Sequence, residues 1–326
     1  MTDRWTRRSA VVATLGGLTL PARAQSEPYP SRPLKIIVPT PPGGGADAFA
    51  RVIGARLGEQ MKATVIIENR PGAAGNAAAE QVKRMAPDGY TLFIGAIAIL
   101  AISPSLYKNL PFDPLKDFSP ITMGVVLSNL LVAHPSLPAH NVRELIALAK
   151  ARPGVINYSS SGNATAGHLA GELFAALTDT QLVHVPYKGG GPAMVDLIAG
   201  HVQISFASPP SALPHVKSGK LRALAVSTAK RTASAPDVPT VAESGYPGFE
   251  YSNWNALFAP AGTPQPHIRK INAQVVAALK DPVIAQRLTS QGADPAPGTP
   301  EELGKYMRSD HERWKKVISS AGIKPQ

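Results

Sequence analysis

Apolar residues occur along the chain in two patterns, and each pattern predicts one kind of secondary-structure element. Short apolar runs at 34–38, 64–67 and 90–95 are typical of buried strands. The stretches 46–61 and 75–85 carry apolar residues every three or four positions, which predicts amphipathic helices. The order strand, helix, strand, helix, strand predicts a parallel sheet with helices on both faces. Ligands of such sheets bind at the carboxyl ends of the strands.

The same alternation returns after residue 140 and predicts a second α/β unit. Its strands are expected at 156–159, 183–187, 202–206 and 221–226, and its helices at 142–151, 166–177 and 193–199. The apolar run 121–133 and the β-like stretch 249–259 flank this unit, so both are expected to cross between lobes. The remaining helices are expected at 267–279, 281–291 and 300–319. We therefore predict lobe 1 from 25–125 and 250–326, and lobe 2 from 126–249.

The first 24 residues have the pattern of a secretory signal peptide. Arg4, Arg7 and Arg8 form a basic start, residues 10–20 are apolar, and Ala22 and Ala24 form a small-x-small cleavage site. The apolar stretch is shorter than the roughly 20 residues that a membrane helix needs. The sequence therefore predicts cleavage near Ala24-Gln25 and a mature protein in the periplasm. The general secretory route is favoured over the twin-arginine route, for which Thr6-Arg7-Arg8 is the only indication.

Composition excludes several classes of function. The chain has 326 residues, no cysteine and a formal net charge of +11, with Lys and Arg dispersed along it. Nucleic-acid binding is not expected, because no basic stripe or known motif is present. The eight histidines lack the spacing of a metal site, and no Gly-x-Ser-x-Gly or Gly-x-Gly-x-x-Gly pattern occurs. We therefore expect no enzyme activity, no catalytic residue, no cofactor and no metal.

Three glycine-rich turns, at 39–47, 68–76 and 159–168, each follow an apolar run and open a helical stretch. Glycine lets backbone N–H groups approach a ligand closely, and a helix start leaves its first amides unpaired at the positive end of the dipole. Such turns bind anions. The turn at 68–76 is equally well explained as a plain strand-to-helix connection, so we do not include it in the predicted site.

A series of motifs appears in order along the chain and resembles one known family. The motifs are Tyr29-Pro30-Ser31-Arg32-Pro33, Pro41-Pro42-Gly43-Gly44-Gly45, Glu68-Asn69-Arg70-Pro71-Gly72, Pro87-Asp88-Gly89-Tyr90, Val183-His184-Val185-Pro186-Tyr187-Lys188-Gly189 and Leu257-Phe258-Ala259-Pro260-Ala261-Gly262. Together with the signal peptide, they resemble the Bug (TctC) family, the periplasmic binding components of tripartite tricarboxylate transporters. The resemblance covers essentially the whole mature chain.

The resemblance implies a type II-like, two-lobed periplasmic binding protein with two crossing strands at its hinge, which closes on a small carboxylate. It also implies two membrane subunits as partners and, for the binding protein itself, a monomer. Carried over residue by residue, the first turn would contribute Thr40, Gly43, Gly44, Ala46 and Asp47. The second turn would contribute Ser160, Gly162, Asn163, Ala164, Thr165 and His168.

Two of these residues have a second interpretation. Asp47 would repel a carboxylate if it pointed into the site, so stabilisation of the helix start is at least as good an interpretation as ligand contact. His168 falls in the first turn of a helix, where a packed neutral imidazole is as good an interpretation as a ligand donor.

Departures from the family pattern bear on the ligand. Many relatives carry Asp-Asn where this chain has Ala207-Ser208, so a carboxylate that could pair with a ligand amine is missing. The segment after the third strand, which includes Ala98, is apolar where relatives often have hydroxyl or glycine residues. We therefore expect Ala98 and Ala207 to line a less polar pocket. The expected ligand is an amine-free mono-, di- or tricarboxylate or an aromatic acid. A role in sensing the ligand for a membrane receptor is the alternative to transport.

Overall fold

A computed structural model describes residues 29–43, 45–163 and 165–320. The predicted signal peptide and its cleavage point lie outside these residues, as do Gly44 and Ala164 of the predicted site. The strands are β1 Leu34–Val38, β2 Val65–Asn69, β3 Thr91–Ala96, β4 Phe118–Leu127, β5 Leu130–Ala133, β6 Asn157–Ser160, β7 Val183–Pro186, β8 Ile204–Ala207, β9 Arg222–Val226, β10 Asn253–Pro260 and β11 Ala293–Pro295.

Helices cover most of the remaining described chain. They are α1 Gly45–Met61, α2 Asn76–Lys83, α3 Ser103–Leu106, α4 Val142–Ala151, α5 Ala166–Thr178, α6 Gly190–Ile198, α7 Pro209–Lys217, α8 Gln265–Lys280, α9 Pro282–Thr289 and α10 Pro300–Ser320, with a 3₁₀ turn at Ala73–Gly75 and a π-helical turn at Ala98–Ile102. None of the helices within the described ranges is long and apolar enough to cross a membrane.

The first sheet has six strands in the order β11-β4-β10-β3-β1-β2. Strand β1 pairs in parallel with β2 and β3, as the alternating pattern predicted, and β10 runs antiparallel between β3 and β4. Helix α1 buries Phe49, Ile53 and Leu57 in the core of this unit. Gly54 permits close packing of α1, since a Cβ there would lie 2.9 Å from Ile67 Cδ1.

The second sheet has five strands in the order β7-β6-β8-β5-β9. Strand β6 is parallel to both β7 and β8, so the turns that follow these three strands emerge at the same edge. Helices α5, α6 and α7 begin directly after these turns. The topology therefore collects three helix starts at one edge of the second sheet.

Two segments connect the sheets. Strand β4 ends at Leu127 in the first sheet and β5 begins at Leu130 in the second, so the chain crosses at Ser128 and Asn129. The return crossing lies between β9 and β10. Ser227 links the two crossings by hydrogen bonds: its Oγ accepts from Asn129 N at 2.9 Å and donates to Tyr251 O at 2.8 Å. Both crossings were expected from the two apolar stretches, although β10 begins at Asn253 rather than at residue 249.

Several short or proline-rich elements were not predicted, among them α3, α7 and β11. Helix α7 has Pro209 and Pro210 at its start and Pro214 inside. Three prolines argue against a helix in a sequence-based prediction, although proline is tolerated in the first turn. Strand β11 is only three residues long. In the apolar segment after β3, Ile97 and Ile99 are buried in the core, whereas Ala98 between them is exposed.

Candidate ligand-binding cleft

A cleft of about 370 Å³ opens where the carboxyl ends of strands from both sheets meet. Gly45 and Asn253 line it from the first sheet, and Ser160 and Ala207 line it from the second. The crossing residues Ser128 and Asn129 also line it. Because its walls come from two bodies joined by a hinge, a relative rotation of the lobes would change its width.

A larger groove of about 880 Å³ lies elsewhere, between residues 104–115 and α10. Tyr107, Phe112, His311 and Ile318 are among its walls, and none of its described lining residues comes from a strand of either sheet. The smaller cleft is the better candidate for a ligand site, because both sheets and the crossing contribute to its lining.

No charged side chain is found among the described residues that line the cleft. The polar ones are serines, asparagines and a glutamine, such as Ser161, Asn253 and Gln291. A bound anion would therefore be held by hydroxyl, amide and backbone N–H donors, and a ligand cation would have no counter-ion among these residues.

Four helices begin at this cleft. Gly45 opens α1, Ala166 and Gly167 open α5, Gly190 opens α6, and Pro209 opens α7. The first N–H groups of a helix have no intrahelical partner, and the dipole places partial positive charge there. Several converging helix starts make the cleft favourable for an anion although it carries no formal positive charge.

The β1–α1 turn is organised around the buried carboxylate of Asp47. Its Oδ2 accepts from Gly43 N and from Arg51 Nε, and its Oδ1 accepts from Asn69 Nδ2, all at 2.9 Å. The hydrogen bond from Arg51 is the main reason that the pKa of Asp47 is lowered to about 2. Asn69 also donates to the carbonyl of Thr40 at 3.0 Å. The carboxylate is thus engaged within its own lobe, which favours the helix-stabilising interpretation of Asp47.

The β6–α5 turn is organised around the hydroxyl of Ser160. Ser160 Oγ lies 2.9 Å from Gly162 O and 2.7 Å from His184 Nε2. Thr165, which precedes α5, donates its hydroxyl to Gly162 O at 2.7 Å. Gly162 has φ of +136°, a conformation that residues with a Cβ rarely adopt. The turn therefore depends on glycine and on neutral hydrogen bonds.

His168 lies behind this turn, packed on His184. The two imidazole rings are stacked with centroids 4.0 Å apart, and His168 Nε2 is 3.7 Å from Glu172 Oε1. Burial lowers the pKa of His168, and burial together with His168 lowers the pKa of His184 to about 4. Both rings are thus held neutral near pH 7. This arrangement favours the packed, neutral interpretation of His168.

The remaining predicted site residues differ in their position relative to the cleft. Ser160 and Ala207 line the cleft themselves. Gly43, Ala46, Gly162, Asn163 and Thr165 belong to the two turns but are not among its described lining residues, although their neighbours Gly45, Ser161 and Ala166 are. Thr40 is half-buried, with its Oγ1 unpaired. Ala98 is exposed at the start of the π-helical turn and does not line the cleft.

Several residues at the cleft or behind it were missed from the sequence. Asn69 reaches Asp47 because β2 lies beside β1, with Asn69 opposite Val38. His184 reaches Ser160 because β7 lies beside β6. Parallel pairing of consecutive strands was predicted, so polar residues at the ends of neighbouring strands were the available signal. Gln291 and Asn253, in contrast, carried no local signal.

The family model described as "Tripartite tricarboxylate transporter family receptor" matches residues 49–323 of this chain. The chain belongs to this family. It is 37% identical to Protein BugT of Bordetella pertussis over 314 residues, which is 96% of this chain and 95% of that protein. The receptor family is one of solute-binding proteins rather than enzymes, which confirms the interpretation of the chain as a receptor.

Solved structures of periplasmic binding proteins share the fold of this receptor. The structure of R. palustris Rpa4515 with adipate is 37% identical in sequence with a TM-score of 0.72, covering 91% of this chain and 100% of that one. MatC (Rpa3494) from Rhodopseudomonas palustris with bound malate is 32% identical with a TM-score of 0.68, covering 89% and 100%. The expected two-lobed α/β fold and the resemblance to the Bug (TctC) family are therefore confirmed.

Proposed function

We propose that this chain is a periplasmic solute-binding protein that captures a small amine-free carboxylate between its two lobes. Lobe 1 would comprise residues 25–125 and 250–326, and lobe 2 residues 126–249. The loaded, closed form would deliver the ligand to two membrane subunits of a tripartite tricarboxylate transporter. Export would remove residues 1–24.

The observation that carries the proposal is the uncharged cleft on which helix starts from both lobes converge. Each hydrogen bond to a charged group contributes about 1.5–3 kcal/mol. Three or four such bonds, less the cost of association, correspond to about −8 kcal/mol, on the order of micromolar affinity. Two related structures, one with adipate and one with bound malate, support a small carboxylate as the class of ligand.

Within this proposal, the backbone of the two turns grips the carboxylate. Gly43, Gly44 and Ala46 would act from lobe 1, and Asn163, Ala164 and Thr165 from lobe 2. Asp47 and His168 would hold their turns in shape rather than touch the ligand, since the partners of Asp47 lie in its own lobe and His168 is packed on His184.

The absence of an amine from the ligand is inferred from Ala207, which lines the cleft at the end of β8. An ammonium group bound there would have no carboxylate among the described lining residues and would lose its hydration. Amino acids are therefore expected to bind much more weakly than the matching amine-free acids.

The test uses protein purified from the periplasmic fraction, freed of bound ligand by unfolding and refolding. Mass spectrometry of the purified chain checks cleavage near Gln25, and an intact precursor there would contradict export with cleavage. A thermal-shift screen of aliphatic and aromatic acids then identifies ligands, because binding to the folded state raises the melting temperature. Calorimetry measures their affinities.

A pair of variants at position 207 tests the amine inference. Ala207→Asp should weaken amine-free acids at least tenfold, because it adds a negative charge beside the ligand, and should improve the relative binding of aspartate or glutamate. Ala207→Asn is the matched control, similar in size but neutral, and should not improve amino acids. Tight binding of aspartate by the unaltered protein, with no binding of amine-free acids, would refute the proposal.

Sensing is the alternative role, since a closed, loaded protein presents a surface that the open form lacks. Deletion of the gene separates the two roles. Lost uptake of the identified acid supports transport, whereas normal uptake with a lost transcriptional response supports sensing.

A further inference from the structure

The four helix starts at the cleft are not equivalent, because α7 begins with two prolines. Pro209 and Pro210 line the cleft and carry no N–H group. The next two amides are used internally: Ser211 N and Ala212 N both donate to Ser208 O at 3.1 Å. Helix α7 therefore presents its dipole to the cleft without a free first-turn donor.

Four polar side chains that line the cleft near α7 already have hydrogen-bond partners. Ser208 Oγ and Ser211 Oγ lie 2.9 Å apart, and Ser211 Oγ donates to Ser208 O. Asn129 Nδ2 donates to Phe206 O at 2.9 Å, and Ser205 Oγ donates to Ser159 O at 3.0 Å. A carboxylate bound beside these side chains would have to break their hydrogen bonds, or it would lose its hydration without gaining donors in exchange.

The surface that α7 and its neighbours offer is apolar instead. The methyl group of Ala207 and the rings of Pro209 and Pro210 line the cleft together with Met194. Gly292, in the turn before β11, packs closely on Pro210, since a Cβ there would lie 2.9 Å from Pro210 Cδ. This wall is suited to a hydrocarbon chain or an aromatic ring.

We propose that the cleft selects acids with a single carboxylate and an apolar or aromatic remainder, and discriminates against dicarboxylates. The carboxylate would bind at the α1 and α5 starts, and the remainder would lie against the apolar wall formed by Ala207, Pro209, Pro210 and Met194. This inference rests on the proposed function and narrows its ligand class. The specificity-determining feature is the pair of prolines at the start of α7.

Matched pairs of ligands test the inference by calorimetry on the refolded protein. Hexanoate and adipate have the same six-carbon chain and differ by one carboxylate, and benzoate and terephthalate form the aromatic pair. We expect the member with one carboxylate to bind at least tenfold more tightly in at least one pair, with neither pair favouring the diacid. Micromolar adipate or terephthalate binding equal to or tighter than that of its partner would overturn the inference while leaving the proposed function intact. Failure of every acid to bind would instead overturn the proposed function.

Two proline variants test the cause of the selectivity. Pro209→Ala introduces an N–H at the first position of α7 and should reduce the preference for one carboxylate at least threefold, by strengthening diacid binding. Pro214→Ala is the matched control, because it is the same substitution in the same helix at an exposed position that does not line the cleft. It should leave the preference unchanged. Equal effects of the two variants, or none from Pro209→Ala, would refute the role of the prolines.

Discussion

The two glycine turns that meet at the cleft are stabilised by different chemistry. The β1–α1 turn is held by a buried carboxylate, Asp47, with a guanidinium and an amide as partners. The β6–α5 turn is held by a hydroxyl and a neutral imidazole, Ser160 and His184. A charge beside an anion site is tolerable only when it is neutralised, as Arg51 does for Asp47. We therefore expect different perturbations to destabilise the two turns.

The largest effect is expected from removal of the carboxylate in the first turn. Asp47→Ala leaves Gly43 N, Arg51 and Asn69 without their shared acceptor, and should lower the free energy of unfolding by about 2–3 kcal/mol. Because the turn loses its shape, ligand affinity should fall at least tenfold. Urea unfolding and calorimetry measure the two quantities.

The control for Asp47→Ala is Glu59→Ala in the same helix. Glu59 is an exposed acid that pairs with Arg56, and such surface pairs contribute little to stability. Equal losses of stability in the two variants would show that the carboxylate of Asp47 has no special role in the turn.

A smaller effect is expected from strain in the second turn. Gly162→Ala forces a side chain onto a backbone with φ of +136°, which should cost about 1–3 kcal/mol and weaken ligand binding. Gly154→Ala is the control, since Gly154 has φ of +70°, is exposed outside the lining of the cleft, and has no neighbouring atom within 4 Å of the point that a Cβ would occupy. Ligand affinity should fall in the first variant only. Unchanged affinity in Gly162→Ala would contradict a role of this turn in binding.

The smallest effect is expected from mild acid. As the pH falls, the second turn should lose stability at a higher pH than the first. His184 takes a proton near pH 6.5 when unfolded but only near pH 4 when folded, so the unfolded state binds more protons between these values. Its contribution to stability is therefore lost as the pH falls from about 6.5 to 4. Asp47, with its pKa lowered from 3.8 to about 2, loses its contribution only below that range.

Thermal unfolding as a function of pH checks this difference between the turns. Between pH 6.5 and 4, the fall in melting temperature should be smaller in His184→Gln than in the unaltered protein. His215→Gln, which changes a histidine on α7 outside the lining of the cleft, serves as the control. If both variants follow the unaltered protein, His184 does not set the acid response of the second turn.

Most strands and helices could be predicted from the sequence because their signals are local. Strand β1 and helix α4 were predicted with their observed bounds, and α5 differs by one residue. The failures have local causes as well. Helix α7 was missed because of its prolines, and α3 and β11 were missed because three or four residues are too few to show a periodic pattern.

The sequence by itself determined the elements, the glycine turns and the lack of reactive groups, because periodicity and residue type act over a few neighbouring positions. Only the tertiary structure decided what holds each turn, since Asp47 meets Asn69 and Ser160 meets His184 through the pairing of separate strands. It also decided that the prolines of α7 line the cleft. Contacts between distant residues depend on how strands are ordered in a sheet, and that order is not encoded in any short segment of the chain.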